Sequence, residues 1–373
     1  MSQKPIRVLQ IGMSDNYGGT ESVVYGIYER LDRSAIQFDF LNVYGHPLAK
    51  QAHLEELGAH IYDLLLKRRE GYFRYIKGIK SFYREHASEF DAVVANVQCL
   101  DQIAMLKYAK RFGIKKRVVY AHNSGNGIAP SRFAKIAIFW NKRFSHHYVT
   151  DYVGVSENAS KWSFSHRDAL KAKTILSGVD SEAFSFDEGK RDRFRATYGI
   201  PDDTFLVGSV GRFDPQKNQM FLLDIYKEIS IMKPDAKFVL AGFGPLEKDI
   251  RSRISALALQ DKVLLLVGVN DLRSLYSALD VFVFPSLFEG MGMVLIEAQC
   301  AGLTCFASAK TIPSEAKILP SFQFISLSES PLNWASAVVK ASASIDRHGA
   351  YLEVKKAGRD LEETIKKYQG LFQ

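Results

Sequence analysis

The sequence predicts an α/β protein of two doubly wound, parallel-sheet domains facing each other across a cleft. Three observations predict it. Short β-branched apolar runs alternate with helix-length amphipathic segments from end to end. The alternation restarts midway, where FLVGSVGRF (205–213) repeats the strand and turn of the opening IRVLQIG (6–12). The chain has 373 residues, too many for one ordinary core. Hydrophobic residues make up 47% and aromatics 12%, enough to fill two cores, which excludes a disordered chain.

In the first half, IRVLQIG (6–12), FDFLNV (38–43), DAVVANV (91–97), KRVVYAH (116–122) and DYVGVS (151–156) read as buried strands. Each is compact, β-branched and followed by a polar or glycine-rich turn. Helix patterns such as ESVVYGIYERL (21–31) lie between them, and such alternation implies a parallel sheet covered on both faces. In the second half the strands are FLVGSVGRF (205–213), KFVLAGFG (237–244), KVLLLVG (262–268), DVFVFPS (280–286) and LTCFAS (303–308). Between the halves, SGVDSEAFSFDEGKRDRF (177–194) loses the strand period and turns polar. The domain boundary is placed there, giving an N-terminal domain over 1–182 and a C-terminal domain over 183–350. The last segment, YLEVKKAGRDLEETIKKYQGLF, reads as a helix with charged faces. Parallel sheets bind ligands at the carboxyl ends of their strands, so two such halves place a site in the cleft.

A formal net charge of +8 suits nucleic acid, an anionic membrane surface or a phosphorylated ligand, and does not choose among them. Cys99, Cys300 and Cys305 are odd in number and form no CxxC, so a reducing compartment and no structural zinc are expected. The opening MSQKPIRVLQIG has too short an apolar run for a signal peptide and carries Arg7. No run approaches the roughly 18 apolar residues of a membrane span. A cytosolic protein is expected, with surface attachment to a membrane left open.

The first turn, MSDNYGGTES (13–22), sets Gly18 and Gly19 between a strand and a helix. Glycines there let backbone N–H groups approach a phosphate at a helix N-terminus. An ordinary tight turn capped by Thr20 or Ser22 reads equally well. GRFDPQKN (211–218) fills the equivalent turn of the second half. Arg212 offers a planar fork and Lys217 a point charge, a pair able to neutralise a diphosphate. Solvated surface cations are the commoner fate of such residues. AGFGPLEKDI (241–250) has Gly242 and Gly244 before Pro245, but Glu247 stands where a dinucleotide fingerprint has its third glycine. A turn leading into a helix explains it. His122 ends the strand 116–121 and faces the expected cleft, where it can bond a ligand hydroxyl or stabilise developing charge. A lone histidine is more often structural. No two aspartates are separated by a single residue. That disfavours a metal-binding Asp-x-Asp clamp, so positive side chains and helix ends would hold any diphosphate without metal.

FPSLFEGMGMVLIEAQCAG (284–302) holds two glutamates, Glu289 and Glu297. They can be an acid/base pair, a nucleotide clamp, or part of a strand, turn and helix without chemistry. A continuous helix would set them about 12 Å apart along its axis and about 80° apart in rotation. Paired glycosidase carboxyls need roughly 5 to 9.5 Å. Glu289 is expected in the turn after the strand, with Gly290 and Gly292 opening the chain, and Glu297 more than a turn into the next helix. One ligand spanning two contacts fits that spacing better than one bond flanked by two acids. Amides around Gly292, Met293 and Val294 would form an anion site between them. Two further segments, EGYFRYIKGIKSFYREH (70–86) and SRFAKIAIFWNKRFSHHY (131–148), interleave cations with aromatics. Each reads as a basic amphipathic helix on an anionic membrane or as an apolar stripe facing the core.

FEGMGMVLIEAQCAG resembles the Glu-x7-Glu signature of retaining GT-B glycosyltransferases, which have two Rossmann-like domains and use nucleotide sugars. The resemblance covers nearly the whole chain, through YGGTE (17–21), AHN (121–123), VGVSE (153–157), SGVD (177–180), VGRFDPQKN (210–218), AGFGP (241–245) and DVFVFPS (280–286). It is nearest to enzymes of bacterial capsule and exopolysaccharide biosynthesis. The resemblance implies that Gly18 and Gly19 face the donor diphosphate and that Arg212 and Lys217 pair with it. It implies Glu297 on the ribose hydroxyls, Glu289 on the transferred sugar, and His122 beside that sugar on the opposite wall. The base would rest near Val269 and Asn270, and a final helix, about 351–373, would cross back to the first domain. The sequence departs at Ser177-Gly178-Val179, where Asn-Gly-Val is common, and at SAKTIPSEAKI (308–318), which replaces a glycine-rich turn and leaves Glu315 unassigned.

The expected activity is retaining, metal-independent transfer of a hexose-type sugar from a nucleotide diphosphate donor, a UDP-sugar, to a lipid-linked saccharide. The setting is cell-surface polysaccharide synthesis, in the cytoplasm and peripheral on the inner face of the plasma membrane, with no cofactor beyond the substrate. An epimerase or a phosphorylase on the same fold is the rival enzyme reading. A non-catalytic binding module is the other; the basic residues are spread over both halves and resemble no single-strand platform, so nucleic acid is not expected.

Overall fold

A computed structural model describes residues 4–43, 45–64, 71–100, 103–125, 131–269, 271–341 and 347–373. The chain forms two compact units, Met1–Ser177 with Leu361–Gln373, and Gly178–Asp360. The first contains strands β1 (Ile6–Ile11), β2 (Ile36–Asn42), β3 (Ile61–Asp63), β4 (Ala92–Val97), β5 (Lys116–Ala121), β6 (Asp151–Gly154) and β7 (Lys173–Thr174). They form a seven-stranded sheet ordered β3-β2-β1-β4-β5-β6-β7, every pair parallel. The second contains β8 (Leu206–Val210), β9 (Lys237–Gly242), β10 (Val263–Val267), β11 (Val281–Phe284), β12 (Thr304–Ser308) and β13 (Gln323–Ile325), ordered β10-β9-β8-β11-β12-β13 and again parallel. Each sheet therefore reverses direction beside its first strand, between β1 and β4 and between β8 and β11. Loops leaving those strand ends part in opposite directions and open a crevice.

The ten expected strands begin within two residues of the expected segments and end within three. The three not expected, β3, β7 and β13, are sheet edges. They are two or three residues long and partly exposed, so they lack the apolar run that marks a buried strand.

The ends of the units differ from the expected 182/183 and 350/351. The terminal segment is two helices, Ala350–Lys356 and Leu361–Gln369, rather than one. Gly358, at φ 70°, stops the first in the left-handed conformation that commonly ends helices. Helix Ala350–Lys356 stays with the second unit, where Val354 packs on Val179, Ile296 and Cys300. Val179 N–H donates to Arg359 O at 3.0 Å, which draws residues 178–182 into the same unit. Leu361–Gln369 joins the first unit, burying Tyr368 against Phe38 and Tyr120. Among the described residues no helix is long and apolar enough to cross a membrane.

The glycines of AGFGP serve this packing. A Cβ on Gly242 would lie 2.0 Å from Gly211 O and 2.8 Å from the Phe213 ring. Gly244, at φ 151°, would set a Cβ 2.5 Å from Phe213 O. Phe213 N–H donates to Phe243 O at 2.8 Å and Leu246 N–H to Phe213 O at 3.0 Å, so this turn braces the loop after β8. Gly242→Ala is expected to destabilise the protein by about 1–3 kcal/mol through overpacking, read from urea unfolding; an unchanged midpoint would contradict the contact.

Candidate active site

The loops leaving β8 and β11, residues 211–218 and 285–292, meet at the switch point of the second sheet. They are stitched together by backbone and amide bonds. Leu287 N–H donates to Gln216 O at 2.8 Å, Gln216 Nε2 to Phe288 O at 2.8 Å, and Asn218 Nδ2 to Pro285 O at 3.1 Å. Asp214 caps the short turn Pro215–Lys217, and Asn218, at φ 56°, redirects the chain into helix Gln219–Met232. Gly211 leaves room for the Lys217 stem, whose Cγ would stand 3.4 Å from a Cβ there.

Those constraints bring Lys217 Nζ to 2.5 Å from Glu289 Oε1. The ammonium also lies 5.1 Å from the centre of the Phe284 ring. Glu289 is only 6% exposed. Ser286 Oγ donates to its Oε1 at 2.6 Å, and its own N–H donates to Thr311 O at 3.0 Å. Arg212 differs: its side chain is 50% exposed, and Nε reaches Asp214 at 3.7 Å. Arg212 and Lys217 thus flank one loop, the first a half-free fork and the second an anchored charge.

Helix Met293–Cys300 follows directly, entered through Gly292 at φ 78°. Its first amides, from Gly292, Met293 and Val294, have no carbonyl of their own helix to serve, which gives the turn a positive edge. Glu297, 9% exposed, lies inside the helix and accepts from Tyr276 Oη at 2.8 Å. Burial pushes the Glu297 carboxyl up to about 7, against a smaller downward pull from the Tyr276 hydroxyl. Burial and the neighbouring carboxyl in turn push Tyr276 well above the ordinary phenol range. The two glutamates therefore have separate partners and environments. Val269 is half-buried against the second unit's core, and Asn270 lies outside the described residues. Glu315 sits in a short turn, Ser314–Ala316, and its carbonyl accepts from Arg359.

In the first unit the glycine turn is occupied by the chain itself. Glu21 accepts from Gly18 N–H at 3.1 Å, and from Ser14 N–H and Oγ at 3.0 and 2.9 Å. The Gly18 amide is thus engaged, while a Cβ on Gly19 would meet nothing within 4 Å. Glu21 was not singled out in the sequence, although an acid three residues after a helix-opening residue is a capping-box spacing. His122, 9% exposed, is bonded through Nε2 to Asn96 Oδ1 at 2.9 Å. Burial pushes its imidazole down to about 3, so the ring is neutral near pH 7. Tyr276 and Ser286 complete the surroundings of the two glutamates. Tyr276 carried no signal, being 21 residues from Glu297, whereas Ser286 closes the FPS of the motif.

Residues 190–320, within the second unit, match the family model of glycosyl transferases group 1. The chain is 28% identical over 347 residues to a protein named as a glycosyltransferase, EpsF, of Bacillus subtilis, covering 92% of this chain and 90% of that protein. It is 37% identical over 144 residues to the Escherichia coli UDP-Gal:alpha-D-GlcNAc-diphosphoundecaprenol alpha-1,3-galactosyltransferase, covering 38% of this chain and 37% of that protein. The structure is similar to that of Anabaena HepE in complex with UDP and glucose, with a TM-score of 0.77 at 16% identity, over 98% of this chain and 99% of that one. That likeness fixes the fold: two Rossmann-like parallel-sheet domains of the GT-B type.

The burial of Glu297 has a thermodynamic signature. In the unfolded chain its carboxyl loses its proton near 4.5, in the folded one near 7. Between those values the folded state holds a proton that the unfolded state has lost, so stability falls as pH rises, by roughly 3 kcal/mol from this group. Urea unfolding of wild type and Glu297→Gln should show the Gln variant gaining that much relative stability between about pH 5 and pH 8. A pH-independent difference would remove the burial argument.

Proposed function

We propose that the protein is a retaining glycosyltransferase that moves a hexose-type sugar from a nucleotide diphosphate donor, a UDP-sugar, to a lipid-linked saccharide during cell-surface polysaccharide synthesis. The observation that carries this reading is the Lys217–Glu289 pair, set beside Arg212 and a helix N-terminus at the switch point of the second sheet. Breaking the sugar–phosphate bond leaves negative charge on the nucleotide diphosphate. Arg212, Lys217 and the amides of Gly292, Met293 and Val294 are placed to stabilise that charge, and pre-placed donors cost no reorganisation as the bond breaks. The reading needs no metal ion. An ammonium has three donors and Lys217 directs one at Glu289, leaving two for phosphate oxygens. Glu289 contacts the transferred sugar from Gly290's turn, and Glu297 accepts from the ribose hydroxyls. Retention at the anomeric carbon follows from attack on the face the diphosphate leaves. His122, a neutral imidazole, bonds a sugar hydroxyl. Gly19 remains a candidate for the diphosphate; Gly18 serves by shaping the turn.

The acceptor places the enzyme on the cytoplasmic face of the plasma membrane in this reading. Of the two basic aromatic helices, Tyr72–His86 buries Tyr75, Ile79, Phe82 and Tyr83, so its stripe belongs to the core. Helix Arg132–Phe144 instead exposes Ile136, Phe139, Trp140 and Phe144 beside Arg132, Lys135 and Arg143, and it contains no acid. That face suits an anionic bilayer, and the Escherichia coli relative is named for a diphosphoundecaprenol-linked acceptor.

Arg212→Ala and Lys217→Ala are expected to lower kcat by about 10²- to 10³-fold, read from release of UDP with folding verified. Wild-type rates in both would refute the diphosphate assignment. Product analysis separates transfer from epimerisation and phosphorolysis. Wild type is expected to float with anionic vesicles, and Phe139→Ser with Trp140→Ser to lose most of that binding; equal flotation would place the membrane contact elsewhere.

A further inference from the structure

A line of buried polar side chains crosses the first sheet and ends at His122. His122 Nε2 is 2.9 Å from Asn96 Oδ1. Asn96 Nδ2 is 3.0 Å from Gln10 Oε1 and 3.2 Å from Ile11 O. Gln10 Nε2 is 2.9 Å from Tyr368 Oη. Gln10 and Tyr368 are fully buried and Asn96 nearly so. The line thus runs from the C-terminal helix through β1 and β4 to the residue after β5.

Its polarity is fixed by one backbone group. Ile11 O can only accept, so the Asn96 amide must point its NH₂ there and its oxygen at His122. Turning that amide over would face Oδ1 with the Ile11 carbonyl. With Asn96 Oδ1 as acceptor, His122 must donate from Nε2. Each member then donates to the next, from His122 to Asn96, to Gln10, and finally to the Tyr368 hydroxyl. In a buried site such bonds polarise one another, and a half-satisfied chain costs more than an apolar one.

We propose that Asn96, Gln10 and Tyr368 are positioning residues that lock His122 in the Nε2–H tautomer, so that Nδ1 presents a lone pair to a ligand hydroxyl. Nδ1 makes no hydrogen bond to a described residue. Burial keeps the imidazole from taking up a second proton, so the ring neither flips tautomer nor becomes a cation near neutral pH. The group facing the ligand is then an acceptor, which selects a donor such as a sugar hydroxyl and disfavours an anion or a carbonyl. The consequence for a sugar hydroxyl rests on the function proposed above; the tautomer itself does not. The C-terminal helix acquires a role at His122 although Tyr368 is 358 residues from Gln10.

The test is long-range 1H–15N NMR of histidine-labelled protein, with the His122 signal assigned by its loss in His122→Gln. Wild type should show a neutral Nε2–H imidazole from about pH 5.5 to pH 8. Tyr368→Phe keeps the ring packed on Phe38 and Tyr120 but removes the terminal acceptor. Ile11 O still orients the Asn96 amide in this variant, so the Nε2–H tautomer should persist, with the His122 signals shifted and kcat lowered a few-fold at a donor KM within about twofold. Asn96→Asp sets a charge on Nε2 and should bring the His122 titration into that pH range. An Nδ1–H tautomer or a titrating His122 in wild type would overturn the proposal. So would variants whose His122 signals match wild type. Failure of any nucleotide sugar to bind would instead count against the enzyme assignment and leave the tautomer result standing.

Discussion

The second domain is organised around the contact between Lys217 and Glu289, 72 residues apart and 2.5 Å from nitrogen to oxygen. A buried ion pair is weak evidence for stability, because desolvating two charges offsets much of their attraction. Its effect here is geometric. It joins the loop after β8 to the loop after β11, on the two sides of the strand-order reversal, and Ser286, Gln216 and Asn218 repeat the join with neutral bonds. Neither loop can move without breaking a bond to the other. A charged ligand entering the crevice therefore meets a preformed surface, which is the condition for strong electrostatic stabilisation of a departing diphosphate.

Other features follow from holding that contact in place. Gly242 must be small because Gly211 O would lie 2.0 Å from a Cβ there, and the Lys217 stem lies against Gly211 at ordinary contact distance. Glu297 occupies the next helix at a distance from this pair, held by Tyr276 rather than by a cation. Burial raises its carboxyl toward neutrality, and a ligand that donates hydrogen bonds to it favours the ionised form. In the proposed function the two glutamates act at different points of one ligand. Their environments differ because one faces an ammonium and the other a phenol.

Much of this was legible in the sequence. Interior strands announced themselves as β-branched runs, and the restart at 205–213 announced the second domain. Three of the four edge strands, β3, β7 and β13, did not, being only two or three residues long and partly exposed; the edge strand β10 did, through its apolar VLLLV. The break at Gly358 was hidden inside a helical pattern, since a lone glycine is tolerated in many helices. Lys217, Arg212, Glu289 and Glu297 were visible through their place after strands. Ser286 stands three residues before Glu289 in the same motif, but Tyr276 was hidden, because only the fold joins it to Glu297. The same holds for Asn96, Gln10 and Tyr368, which read as ordinary strand and helix residues. Of the two basic aromatic segments, only packing against the sheet distinguishes the buried stripe at Tyr75–Tyr83 from the exposed one at Ile136–Phe144.

The central claim is that Lys217 and Glu289 act as one unit toward the donor. A double-mutant cycle on Lys217→Met and Glu289→Gln, read as the calorimetric affinity for an intact UDP-sugar, measures this directly. A sugar nucleotide carries no terminal phosphate that titrates near neutrality, so the readout reports the protein. The account predicts a coupling of about 1–3 kcal/mol, with the double variant losing little more than the worse single one. Losses that simply add would show that the two side chains meet the donor independently and would contradict the account.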